Sequence, residues 1–206
     1  MNTKTLLGVS LTAVFAISMV GFAYALSDYF DITSATATDT EDGFQGTAAT
    51  VDKIPRNPQG ISELDGTYLI VGFGWANTLN GEGFLAAIHP DFKDSTQNPK
   101  SWHTHPVTLT PNNSTGHPLP ANTFCIADLR SSQGGLALNN DGILVNVDTT
   151  NPENDAVGIT AADVNAVVSF KAKVDLQCPV FTVDNQNNPF GPAAVLVEVL
   201  DGVPPS

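Results

Sequence analysis

The sequence predicts an all-β protein, an antiparallel β-sandwich of about nine strands with one or two short helices. Short apolar runs recur every ~8–15 residues and are separated by Gly, Pro and Asn. Within 168–176, apolar and polar residues alternate, which is the period of a strand with one face in water. The segment 139–142 predicts a tight turn, because Asn, Asp and Gly tolerate positive φ.

The predicted strands all lie after residue 65. They occupy 67–73, 83–89, 101–110, 122–129, 135–138, 143–148, 168–176 and 193–200. A short helix is predicted to begin at Thr160, which with Asp163 forms the pattern of a capping box. The segment 26–65 is predicted to be an irregular, loosely ordered acidic arm, because it contains little that could fill a core. The β-sandwich domain is expected to span 66–206.

Residues 1–25 are predicted to be a signal peptide. Lys4 precedes an apolar stretch at 6–22, and Ala23-Tyr24-Ala25 fits the small-x-small cleavage rule. The alternative is an uncleaved membrane anchor, because the apolar segment 6–25 is long enough to span a bilayer. In both cases we expect the protein to be secreted or to lie on the extracellular side of the cell membrane.

The charge of the chain excludes one class of partner. The sequence has 21 acidic and 8 basic side chains and a formal net charge of −13. Phosphate binding needs clustered Lys and Arg, so we expect no nucleic-acid partner. A partner in the cell envelope or another extracellular protein is compatible with this charge, and membrane contact is expected only if the signal segment is uncleaved.

Cys125 and Cys178 are the only two cysteines. In an exported protein an isolated pair predicts one disulfide bond. Both residues lie in strand-like runs, which suits a covalent link between strands. The alternative is a pair of thiolates on a metal ion, although neither cysteine has another Cys or a His at ligand spacing.

All four histidines lie within 89–117, and they are His89, His103, His105 and His117. On a strand, His103 and His105 point to the same face, because side chains alternate with a period of two. Their imidazoles can therefore converge on one ion, with His89 or His117 as a third ligand. Imidazole ligation favours copper or zinc. The alternative is that these histidines are structural, or are incidental residues at strand ends on the surface.

The segment Trp102-His103-Thr104-His105-Pro106 resembles the H-[ST]-H-P core of the JAMM zinc isopeptidases. That resemblance implies two histidines and a later aspartate on zinc, with an upstream glutamate that activates water. The family pattern continues with Ser-x-x-Asp, but Asn113 and Gly116 occupy those two positions here. The match covers five residues, and we interpret it as coincidental.

The leader and the acidic, Asn/Thr/Asp-rich body resemble small uncharacterised exported proteins of ammonia-oxidising archaea. Within the predicted signal peptide, the resemblance lies at 4–14 and in the final Ala-Tyr-Ala. That resemblance implies no particular activity, although the copper-rich extracellular metabolism of those organisms favours copper by analogy. Asn112 and Asn113 begin two overlapping N-x-[ST] sequons, so either is a candidate glycosylation site.

Three functions remain open from the sequence. The first is a non-enzymatic secreted or cell-surface domain that binds copper or zinc through the histidines. The second is a metal-dependent extracellular hydrolase in which His103 and His105 hold the metal and Glu82 or Asp91 acts as the base. The third is a structural or adhesive envelope protein without metal.

Overall fold

The computed structural model describes residues 27–90, 101–110, 122–130, 135–140, 142–148, 159–182 and 192–206. The predicted signal peptide lies outside these ranges. Strands make up most of the regular structure, and their bounds are β1 (Ile32–Thr40), β2 (Gly43–Thr50), β3 (Ile70–Asn77), β4 (Glu82–Ile88), β5 (His103–Thr110), β6 (Thr123–Leu129), β7 (Gly135–Asn139), β8 (Gly142–Asp148), β9 (Ala166–Val174), β10 (Phe181–Thr182), β11 (Pro192–Ala193) and β12 (Val195–Val203).

The helices of the described residues are single 3₁₀ turns at Asp28–Phe30, Pro58–Gly60 and Ala161–Asp163. The last of these begins at the predicted capping box, in which Asp163 Oδ2 accepts hydrogen bonds from the Thr160 hydroxyl and backbone N–H. These hydrogen bonds lower the pKa of the Asp163 carboxyl. None of these helices is long and apolar enough to cross a membrane.

Six strands form a closed barrel in the order β12-β6-β5-β4-β3-β9, and each neighbouring pair is antiparallel. A separate antiparallel sheet has the order β1-β2-β8-β7, and β10 pairs with β11. The all-β antiparallel prediction is confirmed. The nine-strand sandwich is wrong in its architecture, because β9 pairs with both β3 and β12 and thereby closes one sheet on itself.

The wall formed by β3 and β4 separates two apolar cores. Val71, Phe73 and Trp75 of β3 pack in a core shared with residues of the four-stranded sheet. Leu85 and Ala87 of β4 instead belong to the barrel core, which also contains residues of β5, β6, β9 and β12 and Phe181 of β10. Because side chains alternate along a strand, the outward positions of this wall face the sheet and the inward positions fill the barrel.

The N-terminal segment is part of the core, so the prediction of an irregular arm at 26–65 is wrong. It forms β1 and β2, and Phe30, Phe44 and Ile54 are fully buried. The prediction failed because this hairpin covers the barrel largely with small side chains. Every second residue of β2, from Phe44 to Thr50, is buried.

The close approach of the sheet to the barrel depends on Gly46. A Cβ atom at Gly46 would lie 2.5 Å from Nε1 and 2.6 Å from Cε2 of Trp75. The fully buried Trp75 indole therefore occupies the space above the β2 backbone, and its Nε1 donates a hydrogen bond to the Thr36 carbonyl (3.2 Å).

The predicted disulfide is confirmed. Cys125 in β6 is bonded to Cys178, with 5.3 Å between their Cα atoms. The two cysteines are buried with Ala194 and Leu196. The bond ties the segment after β9 to the barrel wall, and it excludes the alternative in which two thiolates hold a metal. Disulfides persist in oxidising compartments, so the bond indicates such an environment for this protein.

We predict that Gly46→Ala destabilises the protein by about 1–3 kcal/mol, because the added methyl group overpacks the Trp75 indole. Gly135→Ala is the matched control on the same sheet, since its nearest neighbour, Asn146 Nδ2, would be 3.6 Å from the new Cβ. Urea denaturation measures both free energies of unfolding. Equal stability of the two variants would contradict the packing described here.

We also predict that the Cys125→Ala, Cys178→Ala double variant loses about 2–5 kcal/mol of unfolding free energy, because the bond closes a long loop in the unfolded chain. Reduction of the unmodified protein serves as the control and should cause most of the same loss. A double variant that unfolds at the same denaturant concentration as the parent would show that the bond contributes nothing to stability.

Candidate metal centre

Three of the predicted ligands meet at one place, and we call His89, His103 and His105 the histidine triad. In the β4–β5 pair, His103 lies opposite Ala87 and His105 lies opposite Leu85. Residues directly opposite each other in an antiparallel pair point to the same face. The two histidines are therefore on the face that β4 turns to the barrel core, and His89 continues this face two residues beyond Ala87.

The imidazole rings of the triad are in contact. The ring centroids of His89 and His103 are 4.6 Å apart, those of His103 and His105 4.7 Å, and those of His89 and His105 6.0 Å. One ring nitrogen from each residue lies within 4.8 Å of those of the other two. The predicted convergence of His103 and His105 with His89 is thereby confirmed. His117, which was the other candidate for the third ligand, lies outside the described residues.

The triad is buried. The exposed fractions are 2% for His89, 3% for His103 and 1% for His105. The alternative of incidental surface residues at strand ends is therefore wrong for these three histidines. The reason is that His103 and His105 lie opposite Ala87 and Leu85, on the face that β4 turns to the barrel core.

Backbone carbonyls hold two of the rings in one tautomer. Nδ1 of His103 is 2.8 Å from the Ser101 carbonyl oxygen, and Nδ1 of His105 is 3.0 Å from the Arg130 carbonyl oxygen. A carbonyl oxygen can only accept, so each Nδ1 must carry the proton and donate it. In the neutral imidazole this leaves a lone pair on Nε2. Metal-binding histidines commonly show this arrangement, in which the second nitrogen is fixed by a hydrogen bond.

These geometric features fit a transition-metal ion. Metal–nitrogen bonds of ~2.0–2.1 Å place three ligand nitrogens about 3.5 Å apart. The triad nitrogens lie within 4.8 Å of one another, so each ring needs to move inward by less than ~1 Å. Side-chain rotation alone supplies such a shift. The Nε2 atoms of all three residues are shielded from solvent, and the triad is therefore an enclosed donor set.

Neighbouring residues that the sequence did not single out position the triad. Trp102, directly before His103, donates an indole hydrogen bond to the Pro55 carbonyl (2.8 Å) and packs on Phe73. The carbonyls of Ser101 and Arg130 fix the ring nitrogens as described. Every residue has a backbone carbonyl, so the residue types in the sequence could not indicate which carbonyls accept these hydrogen bonds.

Of the remaining predicted site residues, Glu82 is described and does not join this centre. Glu82 begins β4, whereas His89 follows its end, so the two are separated by about 23 Å along the strand. The Glu82 carboxylate accepts a hydrogen bond from the Asn80 side chain instead (2.6 Å). Asp91 and the sequons at Asn112 and Asn113 lie outside the described residues. The hydrolase hypothesis thus loses Glu82 as its base.

We compared the chain with protein-family models, curated proteins and solved structures. The chain matches no protein-family model, no curated protein and no solved structure. The resemblance to exported proteins of ammonia-oxidising archaea therefore stays a prediction, and function has to be argued from the histidine triad.

Proposed function

We propose that this protein is an extracellular β-barrel protein that binds one copper or zinc ion through the histidine triad and catalyses no reaction. The observation that carries the proposal is the convergence of three buried imidazoles, two of which have Nδ1 fixed by backbone carbonyls. Neutral imidazole nitrogen is a ligand that both metals favour.

Electrostatics favours a cation at the centre of the triad. The Nε2 lone pairs of His103 and His105 lie on adjacent rings of one strand face, and His89 packs against both rings. In a low-dielectric interior a cation interacts strongly with the imidazole nitrogens around it, because their attraction is weakly screened there. A metal ion thus offsets the cost of placing three polar rings in the barrel.

The extracellular location rests on different observations. The disulfide between Cys125 and Cys178 suits an oxidising compartment. The predicted signal peptide at 1–25 supplies the route for export. The net charge of −13 opposes association with nucleic acid and attracts cations from the surroundings. A partner in the cell envelope remains compatible with this location.

The envelope-protein hypothesis without metal makes the opposite prediction for the same residues. In that case the triad would only fill the end of the barrel, and apolar side chains of similar volume would do so at lower cost. The hydrogen bonds to Ser101 and Arg130 favour the metal-binding proposal, because they orient the rings as well as satisfying them.

We predict that the purified protein, prepared without a metal-binding tag, holds about one copper or zinc ion per chain after chelation, reloading and dialysis. His105→Ala should abolish this binding, because it removes one of three ligands. Thr104→Val is the matched control: Thr104 is equally buried on the same strand, but it lies opposite Ala86, which faces the other core.

Elemental analysis measures the metal content per chain, and circular dichroism checks that each variant is folded. Less than ~0.2 metal ion per chain in the unmodified protein, with no uptake from added Zn²⁺ or from added copper as Cu⁺ or Cu²⁺, would refute the proposed function. Equal loss of metal in the Thr104→Val control would indicate a general packing defect instead of a lost ligand.

A further inference from the structure

We infer that the histidine triad selects monovalent copper, Cu⁺, over Zn²⁺ and Cu²⁺. The inference rests on the proposed function and narrows it to one ion. Three features of the triad carry it: the neutrality of the donors, their depth in the apolar barrel, and their number.

The first feature is the charge of the ligand set. All three donors are imidazoles, which ligate as neutral groups, and the hydrogen bonds from Nδ1 to the Ser101 and Arg130 carbonyls leave Nε2 of neutral His103 and His105 as the ligating atom. Neutral ligands leave the full charge of the ion on the complex. A complex of the triad alone thus carries one positive charge with Cu⁺ and two with Zn²⁺ or Cu²⁺.

The second feature is the environment of that charge. The triad is at most 3% exposed and shares its face of the sheet with Leu85 and Ala87 of the barrel core. The desolvation cost of an ion in a medium of low dielectric constant rises with the square of its charge, so it is about four times larger for a divalent ion. Burial therefore penalises Zn²⁺ and Cu²⁺ far more than Cu⁺.

The third feature is the number of donors. Zn²⁺ is almost always four-coordinate in proteins, and Cu²⁺ favours a tetragonal arrangement. A set of three nitrogens satisfies Cu⁺, because its single charge needs less donation from the ligands than a divalent ion does. For a divalent ion, a water, a hydroxide or another anion would have to enter the barrel with the metal, at an additional cost of desolvation.

The backbone that carries the triad is constrained by strand pairing and by proline. His103 and His105 are paired with Ala87 and Leu85 of β4, and prolines follow His89 and His105. A residue before proline is held in extended conformation. The backbone at these residues is thus constrained before the ion binds, and the rings adjust to an ion mainly by side-chain rotation.

Competition between the protein and chromophoric chelators tests this inference. Cu⁺ is buffered with bicinchoninate under anaerobic conditions, and Zn²⁺ and Cu²⁺ are each buffered with a chelator of known affinity. We expect one Cu⁺ per chain and a dissociation constant at least ~100-fold lower for Cu⁺ than for either divalent ion. The His89→Ala variant should lose this binding, and the Thr104→Val control should keep it.

The possible outcomes separate the two proposals. Binding of Zn²⁺ or Cu²⁺ that is as tight as binding of Cu⁺ overturns the selectivity and leaves the proposed function standing. No binding of any of the three ions overturns both. If His89→Ala does not fold, His105→Gln replaces it as the test variant. Gln keeps a hydrogen-bond donor for the Arg130 carbonyl while the imidazole is removed. Retained Cu⁺ binding in His105→Gln overturns the assignment of the ligands.

Discussion

The register between β4 and β5 is the constraint on which the candidate site depends. Pairing Ala87 with His103 and Leu85 with His105 turns both histidines into the barrel and brings them next to His89. A shift of one residue would turn both rings towards the four-stranded sheet, because side chains alternate along a strand. Both faces of β4 are apolar and buried, and they fill two different cores, with Phe84, Ala86 and Ile88 in one and Leu85 and Ala87 in the other.

The triad is shielded from water because it lies on the inner face of the barrel, and the outer face of the barrel is covered beside it as well. A barrel strand usually has one face in water, but β3 and β4 are buried on both faces by the barrel core and by the sheet of β1, β2, β7 and β8. The sheet approaches closely because Gly46 leaves room for Trp75. The fold thus surrounds three polar rings with apolar material, which raises both the cost of burying them and the strength of their interaction with a cation.

The sequence predicted the parts of this structure that depend on local pattern. Period-two alternation indicated strands, and the spacing of His103 and His105 placed both rings on one face before their surroundings were known. Closure of the barrel could not be predicted, because it requires β9 to pair with β3 and β12, which are far apart in the chain. The N-terminal strands were missed since Gly and Ala carry little hydrophobic signal, although small residues suit a close contact between layers.

The local sequence pattern also could not predict that the triad is buried. Alternation shows which residues share a face, but only the tertiary arrangement decides whether that face is covered.

The most direct test of the central claim is X-ray absorption spectroscopy at the metal edge of the protein loaded with one copper ion. The account predicts a shell of three imidazole nitrogens at ~2.0 Å. A first shell of oxygen atoms without imidazole scattering would contradict it.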